Sequence, residues 1–377
     1  MKRVYLDYAA STPVDRQVEA AMRPYFGSIF GNPNSLHQFG QEASRAVFKA
    51  RCEIAEALGA DYQEIIFTGS ATDANNLAIR GIVQESQNQN PRVIVSAIEH
   101  ESVLEICRNL EKEGVEVIYI PVSRSGFVDF NKLKAAINAN TVLVSVMHTN
   151  NEVGTIQPIE QIAAFIKKAR KPGSVYPLLH TDAVQSFQYL DCNVNKLGVD
   201  LLTLSAHKIY GPKGIGVLYI RGLDQKRKNQ LGWHFGTDNV PYIVGFAKAV
   251  AITEKIKEKE SARVAKLRDY FWARLKKKMP KLEMNGSLEN RLPNNLNIYF
   301  PDREAHDLLI KLDMAGIASS PGAACLTRVA KSSYVLEEMG FSPERSGGSL
   351  RFSLGRQTSK AEIDYAVKLI LDILAKQ

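Results

Sequence analysis

Short apolar runs alternate with longer amphipathic stretches along the first two thirds of the chain, and this alternation limits the possible folds more than any other feature. The apolar runs are EIIFT, RVIVSAI, VEVIYIPV, TVLVSVMH, YPLLHTDAV, DLLTLSAH and IGVLYI. Such runs, often rich in β-branched residues, are typical of buried strands, and the stretches between them have the periodicity of helices. The pattern predicts an α/β fold in which helices cover both faces of a mainly parallel sheet.

The pattern changes beyond residue 239. Residues 240–280 have one long helical pattern, with room for a single break, and we interpret them as the connector to a second domain. The strand and helix patterns that follow are NNLNIYF, AHDLLIKLDMAG, SLRFSLG and AEIDYAVKLILDILAKQ. We therefore predict a large domain at residues 16–254 and a smaller α+β domain formed by residues 1–15 and 255–377.

Composition excludes several classes of protein. With 377 residues, 45% hydrophobic and 23% charged, the chain is an ordinary globular protein with room for two domains. No apolar run approaches the roughly 18 uncharged residues of a membrane helix, and the opening MKRVYLDYAAS is too soon polar for a signal peptide. We expect a cytoplasmic protein with no membrane contact. The cysteines form no CxxC pair and are too sparse for a disulfide framework, so we expect no metal site and four free thiols: Cys52, Cys107, Cys192 and Cys325.

The net charge of +8 has two interpretations. The basic residues lie in short runs such as DQKRKNQ and RLKKKMPK, without interleaved aromatic residues. Such runs are typical of solvated helix and loop faces, and they do not indicate nucleic-acid binding. The alternative is an attraction for anionic cofactors or acidic partners.

Polar residues follow several of the predicted strands, and ligands of open parallel sheets bind at the carboxyl ends of strands. The stretch IIFTGSATDANN leads into a helix whose first N–H groups are able to bind an anion, although it lacks the P-loop pattern and also fits a plain turn with an N-cap. Each of the other polar residues has a structural alternative as a helix entry, a turn or an N-cap. These residues are His100, Asn150, Asn151, Asp182 and Gln185.

Lys208 lies in the stretch LSAHKIYGPKGIG, directly after His207 and before a glycine-punctuated turn. A solvated surface lysine is one interpretation. A lysine at the ligand edge of the sheet is able to lose its proton and act as a nucleophile. Together with the carboxylate of Asp182 and an anion-binding loop, it provides what pyridoxal 5′-phosphate (PLP) requires. We therefore favour a Schiff-base lysine.

Eight motifs, in order, resemble those of the cysteine desulfurases of the class-V aminotransferase family, in the NifS/IscS-like branch. They are VYLDYAASTPVD, FGNPNSLHQFG, FTGSATDANNLAIRG, AIEHESV, NNEVG, HTDAVQS, LSAHKIYGPKGIG and SLRFSLGR. The ordered set spans nearly the whole chain. The resemblance implies that the chain has the fold type I architecture of PLP-dependent transferases. It also implies that the protein is a homodimer.

The resemblance also implies residue roles around the cofactor ring. Lys208 would bind the cofactor aldehyde as a Schiff base, and His100 would stack over the ring and help to move protons. Asp182 would keep the ring nitrogen protonated. Asn151 and Gln185 would contact the substrate side and the ring hydroxyl.

Further roles concern the phosphate and the substrate. The residues implied to bind the cofactor near its phosphate are Ala71, Thr72, Ser205 and His207. Thr237 would reach the phosphate bound by the partner subunit. Arg351 would bind the substrate carboxylate, since a planar guanidinium suits that task, although a surface strand cation is the alternative.

Cys325 is the implied sulfur acceptor. A cysteine among small residues is often simply packed in a core. The stretch 319–333, however, is rich in Gly, Ala and Ser and has no clear periodicity, which is typical of a mobile loop that could carry a reactive thiol.

The activity implied by the resemblance is conversion of L-cysteine to L-alanine, with the sulfur left as a persulfide on Cys325. Its acceptor would be an iron–sulfur scaffold or a thiolation protein. A selenocysteine lyase or another class-V aminotransferase would keep Lys208 and Asp182 without needing Cys325 for ordinary cysteine. A non-catalytic platform for a sulfur carrier would need none of these residues.

Overall fold

The computed structural model describes residues 3–224, 227, 236–321 and 332–375. The strands in these residues are β1 Val4–Tyr5, β2 Ile65–Thr68, β3 Arg92–Ser96, β4 Glu116–Ile120, β5 Thr141–Ser145, β6 Leu178–Asp182, β7 Leu201–Ser205, β8 Gly216–Ile220, β9 Glu283–Met284, β10 Asn295–Tyr299, β11 Ile317–Ala318 and β12 Ser349–Ser353.

The α-helices in the same residues are α1 Arg16–Met22, α2 Gln38–Leu58, α3 Ala71–Glu85, α4 Glu101–Lys112, α5 Phe130–Ala136, α6 Ile159–Ala169, α7 Val194–Leu197, α8 Val240–Lys278, α9 Ala305–Met314, α10 Tyr334–Glu338, α11 Pro343–Gly347 and α12 Lys360–Ala375. Short 3₁₀ turns lie at Arg23–Phe26, Tyr62–Glu64 and Ala206–Lys208.

Seven strands form one central sheet with the order β2-β8-β7-β6-β5-β3-β4. The strands from β7 to β4 in this order run parallel to one another, and β8 runs antiparallel to both of its neighbours. Each of the seven apolar runs forms one of these strands, so the predicted mainly parallel sheet is confirmed. Parallel strands end at the same edge, which gathers the polar residues that follow them.

The helices cover this sheet because each has one apolar face. In α4, Val103, Ile106 and Leu110 recur at helical spacing and are buried, while the charged residues of the helix face outward. The helix begins at His100, whose ring accepts a hydrogen bond from the N–H of Ser102. The local sequence thus fixes both the start and the orientation of the helix.

The long helix α8 is continuous over Val240–Lys278, so the possible break in it is wrong. Its proline, Pro241, lies in the first turn, where a helix needs no N–H donor. Gly245 lets α1 approach closely, since a Cβ at this position would lie 2.6 Å from the sulfur of Met22. The helix therefore packs tightly without a kink.

Two large apolar clusters lie along α8. The first lies on one face of the central sheet and includes Phe246 and Val250 of the helix. The second includes Val264 and Phe271, together with the antiparallel sheet β12-β10-β9 and helices α9 and α12. The exact domain boundaries stay a prediction. Within the described residues, no helix combines the length and the apolar character needed to span a membrane.

Residues 4–9 join the second cluster although they lie far from it in sequence. Strand β1 pairs in parallel with β11, and the N–H of Ser353 donates to the carbonyl of Leu6 at 2.7 Å. Val4 and Leu6 are buried in the second cluster. The segment then continues across the carboxyl edge of the central sheet, where it forms one wall of the site.

Candidate active site

One cavity of about 540 Å³ opens at the carboxyl edge of the central sheet. Cavities of this size hold small organic ligands. The structure brings into its lining most of the sequence-predicted site residues, whose roles stay predictions: Ala71, Thr72, His100, Asn151, Asp182, Gln185, Ser205, His207, Lys208 and Arg351.

Lys208 ends the 3₁₀ turn that follows β7 and is half-buried. Its Nζ donates to the carbonyl oxygens of Ala9 and Ala10, at 2.6 and 2.7 Å. The side chain is therefore held against the wall of the cavity by backbone acceptors. This geometry presents an amine to a ligand and does not suit a solvated surface lysine.

Asp182 is the last residue of β6 and is only 6% exposed. Its Oδ2 accepts from Nδ2 of Asn75 at 3.0 Å, and its Oδ1 accepts from the N–H of Val184 at 2.9 Å. Both of these donors are neutral. A buried carboxylate held in this way is suited to pair with a cationic N–H group of a ligand.

The orientation of His100 follows from a chain of hydrogen bonds. Asn75 Nδ2 donates to Ser102 Oγ at 2.9 Å as well as to Asp182. The hydroxyl of Ser102 is then free to donate to His100 Nδ1, 2.9 Å away, and the N–H of Ser102 donates to the same nitrogen at 3.1 Å. Because Nδ1 is an acceptor, a neutral His100 ring carries its proton on Nε2.

The N-terminus of α3 forms a second part of the cavity. Ser70 caps the helix by accepting from the N–H of Asp73, and Ala71 and Thr72 follow at the cavity wall. Strand β8 lies directly against this turn, since a Cβ on Gly216 would come within 2.5 Å of the Ser70 carbonyl carbon. The free N–H groups of this first turn favour an anion.

Ser205 and His207 line the same cavity as the α3 N-terminus. Burial, together with the charges of Lys208 and Lys213, lowers the pKa of His207 to about 4. The ring is therefore neutral at neutral pH. Ser11 Oγ lies 3.5 Å from His207 Nδ1. A neutral imidazole is able to donate one hydrogen bond to a bound anion.

Arg351 lies in β12, and its side chain is 2% exposed, so the alternative of a surface cation is wrong. Its Nη2 donates to Asp7 Oδ1 at 2.8 Å, and its Nη1 donates to the carbonyl of Asn151 at 2.9 Å. Its buried Nε has no hydrogen-bond partner among the described residues. A buried guanidinium with donor capacity beside a cavity suits a carboxylate ligand.

Asn150 and Asn151 are adjacent in the chain, but only Asn151 lines the cavity, as Gln185 does. Asn150 is fully buried and forms the turn, accepting from the N–H groups of Glu152 and Val153, so its turn interpretation is correct. Asn151 lines the cavity, and its Oδ1 is buried without a partner in the described part of the chain. Gln185 Nε2 donates to the carbonyl of Ala9 at 3.0 Å.

Of the other predicted residues, one lies beside this cavity and one lies outside the described part of the chain. Thr237 is exposed and lines a neighbouring cavity, which shares Gly214 and Ile215 with the first. Cys325 lies outside the described residues, as does most of the stretch 319–333 that we interpreted as a mobile loop. Both roles stay predictions.

Sequence reasoning missed several residues that build the site. Asp7, Ala9 and Ala10 contact Arg351 and Lys208, and their signal was the polar break in YLDYAAS after an apolar start. Asn75 orders both Asp182 and His100, but in the sequence it is one polar residue of a helix. Glu99, next to His100, is fully buried, which its residue type does not suggest.

Glu99 gives a prediction for the pH dependence of stability. Burial and the charge of Asp182 outweigh the opposing hydrogen bond from the N–H of Met147 and raise the pKa of Glu99 to about 8. Because the folded protein holds the proton more tightly than the unfolded chain, stability should fall as pH rises from about 4.5 towards about 8. In Glu99→Gln, the decrease in the free energy of unfolding over this pH range should be smaller by on the order of 1–3 kcal/mol. Urea denaturation of both proteins at acidic and alkaline pH measures it, and parallel pH profiles would contradict it.

Comparisons with known proteins match the whole chain. The profile of the class-V aminotransferase family matches residues 4–232 and 223–366. A cysteine desulfurase IscS of Dictyoglomus turgidum is 43% identical over 387 residues, covering 100% of this chain and 96% of the relative. A solved NifS-like protein superposes with a TM-score of 0.91 at 35% identity over 100% of both chains. A structure of SspA in complex with cysteine gives a TM-score of 0.79 at 34% identity, covering 94% of this chain and 99% of the other.

Proposed function

This chain belongs to the class-V aminotransferase family, and on that basis we propose that it is a cysteine desulfurase, which releases L-alanine from L-cysteine and retains the sulfur for transfer. The observation that carries the proposal is the content of one cavity. It holds an amine on Lys208, a buried carboxylate on Asp182, the N-terminus of α3 and the guanidinium of Arg351. These four groups serve an amino-acid substrate and a PLP cofactor together.

The cavity fits PLP by the chemistry of its side chains. Lys208 would supply the amine, Asp182 would pair with the ring nitrogen, and the α3 N-terminus would hold the phosphate; all three line the cavity. The buried atoms Asn151 Oδ1 and Arg351 Nε have no partner among the described residues, which is expected where a ligand completes the hydrogen bonding. When bound, PLP supplies a reactive aldehyde and a ring that withdraws electrons from the substrate α-carbon.

The remaining side chains hold this group in place. Asp182 would keep a proton on the ring nitrogen, and Asn75 holds Asp182 in place by donating to its Oδ2. Gln185 and Asn151 are near enough to the cavity to bind the ring hydroxyl and the substrate side. The residues that would hold the phosphate line the same cavity: Ala71, Thr72, Ser205 and His207.

Arg351 and Lys208 act on the substrate. Arg351 would bind the substrate carboxylate, and Asp7 anchors the guanidinium by accepting a hydrogen bond from its Nη2. The amine of Lys208 would accept the α-proton of L-cysteine. His100 would lie beside the bound ring, and because its Nδ1 is an acceptor, its Nε2 would exchange protons with the substrate.

Sulfur leaves the substrate by attack of the Cys325 thiolate on the cysteine sulfur. The S–S bond forms as the C–S bond breaks, and its electron pair and one proton pass to the β-carbon. The products are L-alanine and a persulfide on Cys325, so atoms and electrons balance without an external oxidant. An iron–sulfur scaffold or a thiolation protein then takes the sulfur.

Purified protein and L-cysteine test this function. We expect a yellow protein that forms alanine and sulfide in equal amounts in the presence of a thiol reductant. A yellow protein that transaminates, or that acts on selenocysteine alone, would replace the desulfurase by another class-V activity. If the protein does not bind PLP, a non-catalytic role is the remaining interpretation.

Thr237 gives a prediction about assembly. It lies outside the Lys208 cavity but beside it, which suits a residue that reaches the phosphate bound by a second copy of the chain. Thr237→Ala should therefore weaken PLP retention by several-fold, about the loss of one charge-assisted hydrogen bond, without unfolding the protein. Dialysis of the holoenzyme measures PLP loss, and sedimentation measures the dimer. A fully active monomer would contradict the in-trans role.

A further inference from the structure

The chain that carries Cys325 is fixed to the site at both of its described ends. On one side, the backbone of Ser320 pairs with that of Arg351 through two hydrogen bonds, at 3.1 and 2.7 Å. On the other side, Ser333 caps α10 by accepting from the N–H of Leu336. Cys325 lies between these two points in the sequence.

Ser333 also contacts a buried acidic residue that has no role in the proposed desulfurase mechanism. Its Oγ donates to Oε2 of Glu152, which is 1% exposed and directly follows Asn151. Oε1 of Glu152 is buried without a hydrogen-bond partner among the described residues. A carboxylate is costly to bury, so a core that needed only packing would be expected to hold an apolar residue here.

Glu152 interacts electrostatically with two residues of the cavity, Arg351 and His100. Burial outweighs the lowering effect of the hydrogen bond from Ser333 and of the charges of Arg351 and His100, so that the pKa of Glu152 is raised to about 6. The carbonyl of Asn151, one residue away, accepts from Arg351 at 2.9 Å. The residue that holds Ser333 is thus covalently next to a residue that positions the guanidinium.

The residues after Ser333 reinforce this position. The hydroxyl of Tyr334 donates to the carbonyl of Glu99, next to His100. Val335, Leu336 and Met339 pack against Ile98 and Val153 in a separate buried cluster. The start of α10 is therefore attached to the two loops that carry His100 and Asn151.

We propose that Glu152 is a positioning residue for the sulfur step, because its buried carboxylate fixes Ser333 and so sets where the Cys325-bearing chain joins the site. This inference rests on the proposed function, in which Cys325 receives sulfur. It assigns to Glu152 no contact with the substrate or with PLP. Glu152 is therefore expected to affect the sulfur step and not the earlier proton step, which depends only on the residues of the cavity.

Variants of the holoenzyme separate these two steps. Glu152→Met removes both acceptors and nearly keeps the volume, and Ser333→Ala removes the donor from the other side. Ser332→Ala is the matched control, because Ser332 Oγ contacts Glu337 and not Glu152. For each protein, the absorbance change on adding L-cysteine reports the proton step, and mass spectrometry of Cys325 in the first turnover reports the persulfide.

Glu152→Met and Ser333→Ala are expected to keep the rate of the absorbance change and to slow persulfide formation at least about tenfold, since a displacement of about 1 Å costs up to a hundredfold. The double variant should be no slower than the slower single variant, because both act through one contact. Ser332→Ala should match the wild type.

Wild-type persulfide rates in both single variants would overturn the proposal, as would an equal loss of the absorbance step or an equal effect of Ser332→Ala. Failure of the proposed function has a different signature. In that case the wild-type protein itself forms no persulfide on Cys325, and the positioning role falls with it.

Discussion

Replacing Lys208 with alanine is expected to abolish turnover, with a loss of at least about a thousandfold, because it removes the nucleophilic amine on which the covalent chemistry depends. The purified variant should lack the absorbance of the covalently bound cofactor. Borohydride treatment of the wild type should fix the cofactor to the peptide containing Lys208. Absorbance spectra, alanine assays and peptide mapping measure these results.

Lys213 provides a matched control for Lys208. It lines the same cavity and carries the same charge, but it is exposed and follows the turn after the strand end. Lys213→Ala should therefore keep the covalent cofactor, although it removes one positive charge near the phosphate. Borohydride fixation on Lys213, or turnover by Lys208→Ala, would show that the wrong lysine has been assigned.

Replacing Cys325 with alanine is expected to abolish persulfide formation and to lower sulfide release from L-cysteine at least about a hundredfold. The groups proposed to hold the cofactor, among them Lys208 and Asp182, line the cavity and are unchanged in this variant, so it should stay yellow and still change its spectrum with L-cysteine. Activity on selenocysteine should persist, because selenium leaves carbon more readily than sulfur. Single-turnover mass spectrometry and sulfide assays measure these outcomes.

The other three cysteines supply the controls. Cys107 and Cys192 are buried, and burial raises the pKa of their thiols to about 12 and about 11. Neither is a thiolate at neutral pH, and only a thiolate attacks well. Cys52 lies within α2, away from the cavity lining. Alanine at any of the three should leave turnover unchanged, and a persulfide on one of them would refute the role of Cys325.

The sequence predicts the parts of the site that depend on local patterns. The central strands are mostly apolar, and polar residues at or just after their ends mark the ligand edge. Asp182 and Lys208 are among the polar residues that this rule selects. The continuity of α8 was also within reach, since Pro241 lies in the first turn, where it breaks no hydrogen bond.

The remaining parts depend on contacts that no local pattern contains. Asp7 and Arg351 are 344 residues apart, and their pairing depends on the approach of two distant segments. Glu99 and Glu152 are buried, although glutamate is usually exposed, because the surrounding fold supplies Met147 and Ser333 as donors. A single sequence reports the residue type but not these partners.

The wall that receives Lys208 has a consequence for biosynthesis. The N–H of Ala9 donates to the hydroxyl of Ser353, 344 residues later, while its carbonyl accepts from Lys208. At ordinary rates of translation, a ribosome needs on the order of half a minute to make that intervening chain. The central sheet can fold on the nascent chain during this time, but the wall stays open until Ser353 has emerged. Cofactor capture in its final geometry is therefore a late event in the maturation of this enzyme.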